Sequence, residues 1–289
     1  MTPRLVLVIA GLTLREFLRR RILWVLAALS VVSVALVGWG VERLVSFARA
    51  DGVGELELRL GVSQVLILIA FMFSFVLAMS AAFLAAPAIA SDVETGTVHA
   101  MLARPLRRAD LVVGRWLGLS IVVAGYAVLS GLLAIGVVGL LSGFTPPEPQ
   151  VAVGYLAFQA VAVLTLALAL GTRLPSIAAG AITVVLFGLG WFAGVLGNVA
   201  AALDAEPLAA ATDLLRFLVP TDGLWRGVVY GLQPPLVVLV AATGGGDGMM
   251  QGNPFFASGP PPLAFVAWSA AWTGLVLLTG IAAFRRREL

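Results

Sequence analysis

The stretch from Glu94 to Arg115, "ETGTVHAMLARPLRRADLVVGR", concentrates the residues of this chain that could do chemistry. It holds Glu94, Asp110, a threonine at 95 and another at 97, His99, Pro105, and the arginines Arg104, Arg107, Arg108 and Arg115. His99 is the single histidine, five residues after Glu94. A Glu/His hydrolytic site needs a nucleophile or a metal as well, and the sequence offers neither nearby, so His99 reads as a solvated loop residue. What remains is capping and charge pairing. Ser91 or Asp92 can accept backbone N–H groups as an N-cap, with Glu94 favourably placed near a helix N-terminus. Gly96 breaks the turn, Thr97 caps a second short helix "VHAMLAR", and Pro105 ends it. The expected product is a compact charged helical knob. A plain positive anchor with helix caps is the other reading, and it explains the arginines but not the Glu-x-Gly-Thr order.

The chemistry excluded is equally informative. All 18 basic residues are arginine, and a Walker-type phosphate loop needs a lysine to reach the nucleotide phosphates, so no such ATPase site is expected. There is no cysteine, which removes disulfides, zinc–thiolate sites and thiol catalysis. Met249 and Met250 are soft metal contacts at best and read as loop residues. No catalytic, cofactor or metal residue is expected in this chain.

The elements around this segment are oily. Hydrophobic residues make up 61% and charged residues 11%, and mean hydropathy is +1.05, values foreign to a water-soluble domain of 289 residues. The expectation is an all-α polytopic membrane protein, one transmembrane domain over 1–289. Six spans are read, at 22–40, 62–86, 116–141, 151–171, 175–197 and 263–284, each long enough for a bilayer. Residues 4–21 mix apolar side chains with Arg15, Arg19, Arg20 and Arg21. That is the pattern of an amphipathic surface helix, the basic flank of a span being the alternative. The basic cluster follows the first apolar run, unlike a cleavable signal. Trp24 and Trp116 occupy interfacial positions.

Arginine placement orients the spans. With the N-terminus inside, 13 of the 18 arginines fall in the N-terminal arm, the 87–115 segment, the turn at 172–174 and the tail. The positive-inside rule then puts both termini in the cytoplasm and 87–115 on that face. Residues 198–262 resist assignment. In "GVVYGLQPPLVVLVAA", residues 227–242, the part at 228–242 either crosses or re-enters, and Pro234–Pro235 favours re-entrant or interfacial helices on the outer side. "ATGGGDGMMQGNPFFASGPPP" reads as flexible linker. No span holds an ionisable residue in its interior, so the polar groups at depth (Gln64, Ser74, Tyr126, Ser130, Gln159, Thr165) read as interhelical hydrogen bonds. Energy for any transport must come from another subunit.

"ETGTVHAMLARPLRRADLVVGRWLG" closely resembles the signature that permeases of ABC-2-type transporters carry after their second span. The matching positions are Glu94, Gly96, Thr97, Leu102, Pro105, Arg108, Gly114 and Arg115, the last standing where many members have lysine. "TLREFLRRRILW" looks like that family's elbow helix, and "FRRREL" is similar to its ending. "LVPTDGLWRG", with Pro220, Thr221, Asp222 and Arg226, resembles a stretch of the nitrous-oxide-reductase maturation branch. The resemblance implies a membrane-embedded subunit of an ABC exporter, paired with a second permease copy or close paralogue. A separate ATPase carrying ATP and magnesium would dock on the 87–115 coupling segment, through Glu94, Gly96, Thr97, Leu102, Arg104, Pro105, Arg107 and Arg108. Nucleic acid is not an expected partner. The alternatives are a subunit passing ATP-driven motion to an extracytoplasmic partner, such as one maturing a metalloenzyme, and a membrane scaffold without transport.

Overall fold

The computed structural model describes residues 3–19, 22–95, 107–202, 205–243 and 253–287. Among these there are eleven α-helices and no strand. In chain order they are α1 (Pro3–Arg19), α2 (Ile22–Ala50), α3 (Glu55–Ala85), α4 (Pro87–Glu94), α5 (Arg108–Ser142), α6 (Pro149–Gly171), α7 (Ser176–Ala202), α8 (Glu206–Leu218), α9 (Thr221–Leu232), α10 (Pro235–Thr243) and α11 (Leu263–Arg285).

Six helices of the described chain are long and apolar enough to cross a membrane, and they coincide with the six expected spans. Their ends run further than the apolar runs do. The helix read as 22–40 continues to Ala50, the one read from 62 begins at Glu55, and the one read from 116 begins at Arg108. The polar residues at these ends stay helical, so α5, at 35 residues, is roughly 50 Å long against a hydrocarbon core of ~30 Å. It stops at Gly143, whose φ of 72° is the left-handed cap that glycine adopts without strain, with its N–H on the Gly139 carbonyl. Pro87 is the first residue of α4. Ala86 keeps helical angles and donates to the Ala82 carbonyl, so α4 follows α3 nearly without a break.

The bundle is organised around α6. It packs against α3, α5, α7, α9 and α11, and its apolar stretch is 67% buried, against 17% and 22% for those of α2 and α11. Polar side chains hold it at depth. Ser74 donates to Gln159 Oε1 at 2.7 Å, and Gln159 Nε2 donates to the Thr221 carbonyl at 3.2 Å. Trp116 Nε1 reaches Thr165 at 2.8 Å; between α2 and α5, away from α6, Ser30 pairs with Tyr126 at 2.7 Å. Ser130 instead bonds its own helix, at the Tyr126 carbonyl, and Gln64 is exposed.

Helix α1 lies against α5. Its backbone comes so close that a Cβ on Gly114 would sit 2.6 Å from Ile9 Cβ, and one on Gly118 would sit 2.8 Å from the Ala10 carbonyl. Gly114, one of the family-like positions, is therefore a site of helix contact. Arg15 is exposed; Arg19 closes α1; Arg20 and Arg21 lie outside the described residues.

At the other end of the bundle, α8 and α9 form a helical hairpin. Its turn, Val219–Pro220, is next to Gly190 near the middle of α7, while Thr221 is bonded to Gln159 near the middle of α6. From there α9 returns along α6, with Gly227 on Tyr155 and Gly231 on Ala152 and the Glu148 carbonyl. The 228–242 stretch breaks at Gln233–Pro234, and the nine-residue α10 covers only ~14 Å, less than half a bilayer core. Part of the Gly/Pro stretch read as flexible linker is packed. Trp225 Nε1 donates to the Pro254 carbonyl at 2.9 Å, Phe255 is edge-on to Phe71, and Phe256 and Ala257 are buried. Gln233 binds both the N–H and the carbonyl of Ala257.

Overpacking the α1–α5 contact gives a direct check. Gly118→Val should cost about 1–3 kcal/mol. Thermal unfolding of the chain in detergent should show a clear drop for it and none for Gly125→Ala, whose Cβ meets nothing within 4 Å. Equal midpoints for the two variants would mean α1 is not held there.

Candidate functional site

The end of the bundle where α4 stops and α5, α7 and the end of α11 meet carries the arginines, and their contacts form one clasp. Asp92 and Arg115 are paired, each side chain 17% exposed, and Arg115 also donates to the Ala88 carbonyl. One guanidinium thereby ties α4 to α5, and its planar fork suits a carboxylate and a carbonyl together. Asp92 is thus a partner in a charge pair, not the N-cap expected of it. Ser91 is not a cap either, since its hydroxyl donates back to the Pro87 carbonyl at 2.6 Å inside α4.

Glu94 does sit at a helix N-terminus, but not that of its own segment. Its Oε1 accepts the Ser176 backbone N–H at 2.9 Å and the Ser176 hydroxyl at 3.2 Å, at the first residue of α7. A carboxylate there satisfies an orphan donor and lies at the positive end of the helix dipole. The last residue of α4 is thereby latched to the first residue of α7. Thr95 follows as the C-cap, its hydroxyl on the Ser91 carbonyl at 2.8 Å.

Arg108 opens α5 and closes α11. Its Nη1 donates to the carbonyls of Phe284 at 3.2 Å, Arg285 at 3.1 Å and Arg287 at 2.6 Å, and its guanidinium stands 5.9 Å from the Phe284 ring centroid. The last carbonyls of a helix lack internal partners and carry partial negative charge, so a cation is favoured there. Arg287 in turn donates to the Thr172 carbonyl at 2.6 Å, in the turn between α6 and α7. Arg107 is exposed and supplies the carbonyl that begins α5.

Of the eight residues expected at the coupling segment, the structure places Glu94, Arg107 and Arg108. Gly96, Thr97, Leu102, Arg104 and Pro105 lie outside the described residues, as does the expected helix 98–104. Sequence reading missed three partners. Ser176 carried a signal, since a serine directly after Pro175 is typical of a helix start. Thr172 and the α11 carbonyls carried none. Among the described residues no cluster of three metal-ligating side chains occurs.

Six apolar helices, α6 the most buried of them, with a charged clasp gathering four helix ends, define a multi-pass helical membrane protein. The chain matches the ABC-2 family transporter proteins over residues 7–289, and it belongs to that family. No single curated protein matches it. It is therefore a membrane permease subunit of an ABC transporter, of a family whose members generally work with a separate ATPase and are themselves non-catalytic.

The Glu94 latch can be tested by hydrogen exchange. Losing an N-cap acceptor costs ~1 kcal/mol, so Glu94→Ala should speed exchange of the first-turn amides of α7 about fivefold. The amides of α9, at the opposite end, should be unaffected. Unchanged exchange at residues 176–179 would mean the contact contributes nothing.

Proposed function

We propose that this chain is the transport subunit of an ABC exporter, driven by a separate ATPase that docks on the segment between α4 and α5. The observation that carries the reading is the clasp. Segment 95–107 leaves from Glu94, latched to α7, and returns at Arg108, which holds the end of α11; Arg115 and Asp92 tie its two flanks together. A displacement applied to this segment therefore enters α5, α7 and α11 at once. A passive scaffold has no use for such a device, and its residues coincide with the family-like positions Glu94, Arg108 and Arg115.

On this reading the clasp end faces the cytoplasm, with both termini, and the α8–α9 hairpin faces the opposite side, re-entering the membrane. The arginine distribution supports that orientation. The permease pairs with a second copy or a close paralogue. Gly96, Thr97, Leu102, Arg104, Pro105 and Arg107 shape or rim the docking surface, while Glu94 and Arg108 fasten it to the bundle. ATP and magnesium are held by the partner, since a chain without lysine lacks the phosphate-cradling residue of the usual nucleotide loop.

The test uses rim charges, because changing Glu94 would loosen α7 as well. Arg107 is exposed, and like-charge contacts at an interface rim cost affinity without disturbing the fold. Arg104→Glu together with Arg107→Glu should leave membrane insertion and thermal stability intact while pull-down of the co-expressed ATPase is lost. The wild-type chain alone should not hydrolyse ATP. Undiminished pull-down by the double variant, with normal ATP turnover, would refute docking at this segment.

A further inference from the structure

A cavity of about 450 Å³ lies among α2, α3, α5, α6 and α9. It exists because α2 packs along α5 and scarcely touches α3, which leaves a gap between the two helices. Its floor belongs to the buried core, with Leu66 on α3, Leu156 on α6, and Val228 and Leu232 on α9. Leu68, Met72 and Val76 of α3 also line it, and each is at least 45% exposed. The cavity therefore opens sideways, along the apolar flank of a spanning helix. None of its lining residues is charged.

The hydroxyls that line it, those of Ser30, Ser33, Tyr126 and Ser130, all come from two neighbouring helices, α2 and α5. Ser130 is bonded to the Tyr126 carbonyl, while Ser30 Oγ and the Tyr126 phenol oxygen stand 2.7 Å apart. One of that pair donates to the other, and in either case the phenol oxygen keeps a lone pair for a further donor. Tyr126 is near the middle of α5, deep in the span. Leu232 marks the other end of the cavity, next to Gly231, which touches the Glu148 carbonyl at the start of α6.

These features select a ligand. A charged headgroup is costly at that depth, and no charge lines the cavity to offset it. A hydroxyl carried into an apolar site needs a partner there, and the Ser30–Tyr126 pair supplies one. An apolar cavity of about 150 Å³ holds one benzene, so this one has room for a long alkyl chain.

We propose that this cavity binds a neutral long-chain alcohol dissolved in the bilayer. The molecule enters between α2 and α3, sets its hydroxyl on Tyr126 and Ser30, and runs its chain toward Leu232. The site is reached from the hydrocarbon layer and is independent of ATPase docking, so it would exist in a permease that exports something else.

The test labels the full-length chain in neutral detergent with hexadecanol carrying a mid-chain diazirine, and locates the adducts by peptide mass spectrometry. Adducts should fall on α3 within 66–76 and on α5 within 126–135. Unlabelled hexadecanol should compete, and hexadecane should need about fivefold more, the scale of one neutral hydrogen bond. Tyr126→Phe keeps the ring, removes the hydroxyl and should erase that difference. Ala134 lines the cavity and is half-buried, so Ala134→Phe should fill the space and cut labelling at both places. Tyr126→Phe changes a single atom, so the test stands even where Ala134→Phe loosens the bundle. Equal competition by hexadecane and hexadecanol, or competition by phosphatidylcholine at the same mole fraction, would overturn the alcohol site. So would an alcohol preference that persists in Tyr126→Phe.

Discussion

Close approach of backbones to α6 is the constraint on which the other arrangements rest. Between apolar helices in lipid there is no hydrophobic gain from association, so contact depends on small residues, van der Waals fit and a few hydrogen bonds. At Gly171 a Cβ would lie 2.4 Å from the Ala86 carbonyl, at Gly280 one would lie 2.9 Å from Ala169 Cα, and at Gly231 one would lie 2.8 Å from the Glu148 carbonyl. These contacts bring the end of α3, the end of α11 and the end of α9 onto one helix. Gln159 adds a polar tie at the centre, joining Ser74 on α3 to the first residue of α9. Larger residues at these glycines would spread the bundle and part both the clasp and the hairpin from their supports.

Helix α7 connects the two ends. At one end Glu94 caps its first residue; farther along, Gly190, Gly194 and Gly197 receive Thr221, Asp222 and Arg216 of the hairpin. On the proposed function, force entering at the clasp has a rigid helical path to the hairpin. Among the described ion pairs, those with both side chains shielded from water lie at these two places. At the clasp they satisfy helix ends; at the hairpin they hold a turn that would otherwise leave polar backbone inside an apolar bundle.

How much of this the sequence disclosed depends on the scale of the feature. Six crossings were legible because runs of about 20 apolar residues have few other uses. Helix ends were not, because Glu55 to Arg59 and Arg108 to Asp110 are polar yet continue the helix. Glu94 was read with the right physics and the wrong helix, since its partner Ser176 is 82 residues away and local pattern cannot reveal such a pairing. Gly114 stood out by resemblance, but the reason for it, the passage of α1 across α5, is tertiary. The spacing of Gly190, Gly194 and Gly197 in "FGLGWFAGVLG" did carry a signal of close packing that went unused. Residues 253–257 were taken for linker on their composition; Phe255 and Phe256 were the clue that the segment packs.

The central claim, that the segment between α4 and α5 meets an ATPase, is most directly tested by cross-linking. The chain has no cysteine, so a single introduced thiol is an unambiguous probe. Arg107→Cys, exposed at the start of α5, would be treated with a short thiol-to-amine reagent in membranes holding the co-expressed ATPase. The account predicts one cross-linked product containing both subunits, absent when the thiol is placed instead at Ser258 near the hairpin. Cross-linking from Ser258 but not from Arg107, or from neither in a complex that still hydrolyses ATP, would contradict it.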